Sequence, residues 1–340
     1  MRRSSYLTST LSLLCGLLFV IACDNDNGSV ETTGGRIAGS GRELPADAAS
    51  SSYQIFRSVQ AEPQTLDLSL DAYAAGDLIH LFETLVIVHP DMELHPGAAE
   101  RWEVNEDGTQ WTFYLRNGNR WSDGRPVTAH DFEYSFKRML DPKEAGNYAF
   151  IYYDIVGARD FNAGKNSDRN TVGIRATDDR TLVIDLVKPT PYLPNLLAFV
   201  TATPVPRWQV EKFGQRWTQG ENSVSSGPYM VGEWLSGQHI TFTPNPNYSG
   251  PNKGYLNQMQ WIFSGDPSAL LTAYENDEID VHALSAIELD RIEQDERLSK
   301  ELIRSHGNTT WYLFFKTQVT PFNDLRIRQA IAHAVDRDVL

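Results

Sequence analysis

The sequence predicts a layered fold of the α/β or α+β kind, and three observations predict it. Segments with strand periodicity alternate with segments of helical periodicity from Tyr53 onward, without any repeat. Eight Trp, 14 Tyr and 15 Phe within 41% hydrophobic content supply a core and exclude disorder for the bulk of the chain. The length, 340 residues, suits two or three domains rather than one. A net charge of −14, from 30 basic and 44 acidic residues, argues against a nucleic-acid partner, which needs a basic footprint. Both cysteines, Cys15 and Cys23, fall before the globular body, so the folded part is cysteine-free.

The first element is an address. Arg2 and Arg3 precede an apolar run from Leu7 to Ala22 with no acidic residue before Asp24, the pattern of a secretory signal over residues 1–22. The run is shorter than the roughly 20 residues a membrane span prefers. Val20-Ile21-Ala22-Cys23 resembles the bacterial lipoprotein signal, in which the cysteine is acylated and becomes the new N-terminus. Cys15 lacks the small residue before it and reads as part of the apolar run. Residues 23–52 then hold the lipidated cysteine and a flexible tether, because a stretch rich in Gly, Ser, Ala and Asp cannot bury enough surface to order itself.

Each element of the body has a local reason. Tyr53–Val59 is rich in β-formers and runs into Glu62-Pro63, a strand and a turn. The apolar run Leu78–Val88 predicts a helix leading into a buried strand. Trp111, Phe113 and Leu115 alternate with Thr112 and Tyr114 between two turn pairs, Asp107-Gly108 and Asn117-Gly118. Thr128 is placed to cap a helix, with Asp131 three residues on as its capping-box partner. Phe132, Phe136, Met139 and Leu140 form that helix's apolar face, and Asp141-Pro142 ends it. Thr181–Val187, Ile240–Thr243, Leu256–Phe263 and Ile279–Val281 read as strands, Leu270–Tyr274 as the start of a helix, and Asn245–Tyr248 as a turn. Pro204-Val205-Pro206 reads as an interdomain crossing.

A search for reaction chemistry returns little. No GxSxG, HExxH, GxxxxGK[ST] or GxGxxG stretch is present. Asp123, His130 and Asp131 are accounted for by turn and cap. His89, Asp91 and His95 make a weak metal set, two imidazoles and a carboxylate with no helix to fix them. No metal, cofactor or catalytic residue is assigned, and the expectation is a protein that is not an enzyme.

Several segments together resemble the bacterial extracellular solute-binding proteins of the oligopeptide-binding class, the receptors of ABC importers. They are Glu62–Asp67, Leu81–Leu85, Pro96–Trp102, Trp111–Arg116, Trp121–Phe132, Pro204–Pro206, Ser226–Tyr229, Pro321–Arg326 and Ala332–Arg337, in the family's order and spacing. The resemblance implies a two-lobed periplasmic-binding-protein clamp of α/β lobes (type II), with an extra inserted domain, incomplete here at the C-terminus. It divides the body into a discontinuous first lobe at 53–82 and 203–308, an inserted domain at 83–202, and the start of a second lobe at 309–340. It implies an extended peptide held between lobes mainly through its backbone, and a lipid-anchored monomer on the periplasmic side of the cell envelope that serves a permease and its ATPase.

Carried over residue by residue, the resemblance places Tyr73, Ala74 and Ala75 in a ligand-contacting loop of the first lobe, two residues shorter here than in the enteric peptide binders. Tyr148 matches a tyrosine at the cleft. Tyr312 and Phe314 lie in the crossing into the last domain, where Phe314 replaces an acidic contact and Thr309 a cysteine. Other ligands of the same family are nickel chelates, heme, opines and oligosaccharides, and these scaffold motifs do not separate them. A surface hydrolase is the reading from another class. The C-terminal helix presents an apolar face through Arg326, Ile327, Ala330, Ile331, Ala334 and Val335, which is expected to need a partner beyond Leu340.

Overall fold

The structure is a computed structural model that describes residues 37–46, 48–49, 53–70, 78–89, 91–263, 269–304 and 312–336. The chain divides into two units, Met1–His282 and Ala283–Leu340. In the first, strands β1 (Ile55–Val59), β2 (Val86–Val88), β3 (Leu94–Pro96), β4 (Ala99–Val104) and β5 (Gln110–Leu115) precede helix α1 (Ala129–Met139). There follow α2 (Ala158–Asn162), β6 (Ile174–Asp178), β7 (Thr181–Asp185), α3 (Leu193–Leu197) and α4 (Arg207–Phe213). The unit ends with β8 (Tyr229–Leu235), β9 (His239–Pro244), β10 (Gln258–Ile262) and α5 (Leu270–Glu275). The second unit carries α6 (Ala286–Gln294), α7 (Leu298–Glu301) and α8 (Leu325–Ala334).

Two four-stranded sheets organise the described part of the first unit. One runs β1-β10-β9-β8, with β1 parallel to β10 from Ile55 opposite Gln258 to Val59 opposite Ile262. The other is the antiparallel sheet β4-β5-β7-β6. Its pattern is the one the alternation predicts: Trp111, Phe113 and Leu115 are buried and their neighbours half-buried. Helix α1 packs on this sheet through Phe132, Phe136 and Met139, all buried, and the reciprocal Thr128–Asp131 capping box starts it. A hydrophobic core that includes Phe113, Trp121, Trp217 and Phe242 draws from both sheets, so the buried Pro204–Pro206 segment runs within one unit.

Three expectations are corrected. Leu78–Val88 does not begin as an α-helix; a single 3-10 turn, Leu78–His80, precedes β2. The carbonyls that a helix would use internally are taken by distant amides: Leu81 by Gly227 at 2.9 Å, Thr84 by Ala98 at 2.9 Å and Leu85 by Ala99 at 3.0 Å. Ile279–Val281 is not a strand either. Asp280 pairs with the edge of β1 once through its backbone, its amide donating to the Arg57 carbonyl at 2.9 Å. Its carboxylate then occupies the place of the next carbonyl, accepting from the Arg57 amide at 2.6 Å and from the guanidinium at 2.9 and 3.1 Å. Part of the expected tether is ordered as well. Residues 37–46 turn back on themselves through an Ile37–Glu43 bridge and dock on the loop before β10. There Gly39 donates to the Asn257 amide oxygen at 2.6 Å and Ser40 to the Gly254 carbonyl at 2.5 Å, while Ala38 and Leu44 are buried. Composition averages over such a stretch and misses the two apolar side chains that hold it.

Candidate functional site

A buried carboxylate organises the region around Tyr148. Asp67 sits in a tight turn, its amide donating to Thr65 Oγ1 at 3.1 Å and its carbonyl accepting from the Leu70 amide at 3.1 Å. Its side chain accepts from Ser69 at 2.7 Å, from the Trp217 indole at 2.8 Å and from Arg138 at 2.8 Å. Arg138, in the last turn of α1, is as buried as Asp67, each 3% exposed. Its other terminal nitrogen lies 3.2 Å from Glu144. Hydrogen bonds to its remaining positions offset the cost of burying an ion pair. The indole and hydroxyl donors supply them for the carboxylate, while the buried Arg138 Nε has no partner among the described residues.

Glu144 belongs to the turn that leads from α1 to Tyr148, and the next residue but two, Asn147, donates its amide to the Leu70 carbonyl at 3.0 Å. The turn and the Leu66–Leu70 loop are thus joined twice, by the ionic hub and by the backbone. Tyr148 emerges from this brace into an aromatic cluster. Its ring stacks on Phe150 at 5.8 Å and tilts against Phe199, just beyond α3, at 5.0 Å. Phe150 is 58% exposed. These rings offer faces for stacking and apolar contact.

Of the residues the sequence singled out, Tyr148 stands in this cluster. Tyr73, Ala74, Ala75 and Cys23 lie outside the described residues. Tyr312 and Phe314 belong to the second unit, where both are largely exposed. Phe150, Phe199 and the Asp67 hub were not singled out. Phe150 is two residues from Tyr148, a proximity that could have pointed to it; Phe199 and Trp217 come close to their partners only through the fold.

A second buried hub lies in the same unit. Glu83 accepts from the Tyr248 hydroxyl at 2.6 Å and pairs with Arg116, which also donates to the Gly97 carbonyl. Burial pushes the Glu83 carboxyl above the usual range, against the pull of Arg116 and Tyr248. Glu83 and Tyr248 edge a cavity of about 580 Å³ whose other walls include Phe82, Ile87, Val200 and Tyr229. Elsewhere the chemistry-bearing side chains have structural partners. Asp123 accepts the Arg125 amide at 3.0 Å, and Asp131 caps α1. His89 and His95 stack at 4.1 Å, with Asp91 3.3 Å from His95. Among the described residues no group of three His, Cys, Asp or Glu side chains is arranged to hold a metal ion, and no helix is long and apolar enough to cross a membrane.

A family model described as bacterial extracellular solute-binding proteins, family 5 Middle, matches residues 93–340. The periplasmic oligopeptide-binding protein of Salmonella typhimurium is 38% identical over 266 residues, 76% of this chain and 48% of that protein. The probable deoxycholate-binding periplasmic protein of Escherichia coli is 33% identical over 303 residues, 88% of this chain and 56% of that protein. Among solved structures, OppA of Burkholderia pseudomallei superposes with a TM-score of 0.76 at 30% identity, covering 84% of this chain and 57% of the other. The chain therefore spans about half the length of the curated relatives it matches. The fold shared with the solved structure is the α/β periplasmic-binding-protein clamp that the resemblance implies.

Proposed function

This chain belongs to the bacterial extracellular solute-binding proteins of family 5, and from that membership we propose that it is the peptide receptor of an ABC importer. It binds extended oligopeptides between two lobes, without catalysis, and delivers them to a membrane permease and its ATPase. The reading is carried by the identity to the Salmonella peptide-binding protein over three-quarters of the chain. The braced Tyr148 cluster supports it, because a scavenging receptor needs fixed backbone partners and tolerant apolar faces. Tyr73, Ala74, Ala75, Tyr148, Tyr312 and Phe314 are the proposed ligand contacts. Ligand that touches both lobes favours the closed form by its extra contacts there.

The body is a monomer held at the periplasmic side of a membrane by acyl chains on Cys23, two of which anchor stably where one does not. Replacing Cys23→Ser is expected to abolish labelling by a fatty-acid probe and move the protein to the soluble fraction, with Cys15→Ser leaving both unchanged; retained labelling in Cys23→Ser overturns the anchor. A second ligand class has one observation in its favour, the relative described as deoxycholate-binding. Thermal unfolding of the protein expressed from its complete gene separates the two. Stabilisation by a mixed tri- to pentapeptide pool is expected. Stabilisation by deoxycholate alone replaces the peptide reading, and cleavage of the pool would revive a hydrolase.

A further inference from the structure

Asp67 is 71 residues from Arg138 and 150 from Trp217 in the chain, yet one of its oxygens receives both, at 2.8 Å each. Its other oxygen receives Ser69 at 2.7 Å, so its own loop closes around it. Arg138 carries the connection onward to Glu144, in the turn leading to Tyr148. We propose that Asp67 is a positioning residue for the ligand site: through Arg138, its buried carboxylate fixes the Leu66–Leu70 loop against the turn that presents Tyr148. The role rests on the reading of Tyr148 as a ligand contact.

The geometry gives this hub a task beyond filling the core. Leu66 and Leu68, both at most 1% exposed, already fasten the loop by apolar burial, so its folding has a separate cause. The ion pair instead sets direction and separation, since a guanidinium fork bonds along fixed lines where an apolar contact does not. Arg138 spends one terminal nitrogen on each acidic partner, 2.8 Å to Asp67 and 3.2 Å to Glu144. The Asn147 amide, 3.0 Å from the Leu70 carbonyl, reports whether that separation is kept.

Two variants test this, in the protein expressed from its complete gene. Asp67→Asn removes the charge while keeping the shape. Glu144→Gln, at an exposed position, weakens only the outer link and serves if Asp67→Asn does not fold. The probe is the member of the peptide pool that most stabilises the wild type. Hydrogen exchange at the Asn147 amide is expected to quicken roughly tenfold in Asp67→Asn and about threefold in Glu144→Gln, while the Leu140 amide near the end of α1 stays protected. Peptide affinity is expected to weaken by the same factors, a tenfold loss being one charged hydrogen bond's worth. A purely structural hub would lower the melting temperature and leave the dissociation constant alone. A folded Asp67→Asn, or in its absence Glu144→Gln, that binds within the error of wild type overturns the proposal. If no peptide binds the wild type, the receptor reading fails by itself. The Asn147 amide then decides on the brace apart from any ligand: faster exchange in Glu144→Gln supports the Asp67–Arg138–Glu144 link, and unchanged exchange overturns it.

Discussion

Asp131 carries two opposing demands. Its carboxylate accepts the Thr128 amide at 2.8 Å and the Thr128 hydroxyl at 3.1 Å, closing the first turn of α1. Burial nevertheless dominates and pushes its pKa up to about 6. An unfolded chain releases this proton near pH 4, so between about pH 4 and 6 the folded form holds a proton the unfolded form has lost. Stability from this group is therefore greatest at low pH and falls as pH rises through that interval, by about 3 kcal/mol for a shift of roughly two units. Asp131→Asn keeps an acceptor for the cap and removes the titration. Urea unfolding is expected to show the variant gaining on the wild type by about that amount between pH 4 and 7. Parallel stability curves for the two proteins would show that burial does not hold the proton. The same residue marks what a sequence makes legible: Thr128 and Asp131 are three apart, so their cap is readable, whereas the burial that raises the pKa comes from distant packing.

At the scale of elements, the same distinction recurs. The strand Gln110–Leu115 and the helix Ala129–Met139 are readable because alternation, turn pairs and caps act between near neighbours in the chain. Leu78–Val88, Ile279–Val281 and residues 37–46 depart from the local expectation because their backbone partners lie far along the chain, up to 218 residues for Gly39 and Asn257. The Asp280 clasp gives a test. Arg57, against the cost of burial, holds the Asp280 carboxyl below its ordinary range, so the clasp is present above the usual carboxylate range and lost as pH falls through the lowered value. Both side chains are about one-third exposed, so the pair contributes little to overall stability. Its work is local, satisfying the outward edge of β1 without a neighbouring strand. Asp280→Ala is expected to speed exchange of the Arg57 amide by roughly tenfold. The Gln60 amide, which donates inward to the Ile262 carbonyl at 3.1 Å, should stay protected. Equal acceleration of both amides would mean that the whole strand depends on the clasp.

The two units differ in what holds them. In the first, the core that joins both sheets includes Trp121, Trp217, Phe113 and Phe242, each at most 1% exposed. In the second, the buried apolar side chains among the described residues are Ile292 and Leu298, while Ile287 and Ile303 are about nine-tenths exposed. Apolar burial drives cooperative folding and scales with the area removed from water, so these units have very different resistance to local opening. Proteases cut where the backbone opens, and in this regime the rate follows the population of the open form. Limited digestion of the 340-residue chain is therefore expected to clip α6, α7 and α8 first. A resistant fragment should remain whose C-terminus lies near His282, identifiable by intact mass. The ordered turn at 37–46 adds a second expectation: the fragment's N-terminus should fall before Ile37, because Ala38 and Leu44 tie that turn to the body. First cuts within β4–β7 would mean that the shared core does not fasten the two sheets together. First cuts at 38–45 would mean that the docked turn opens as freely as the tether composition predicts.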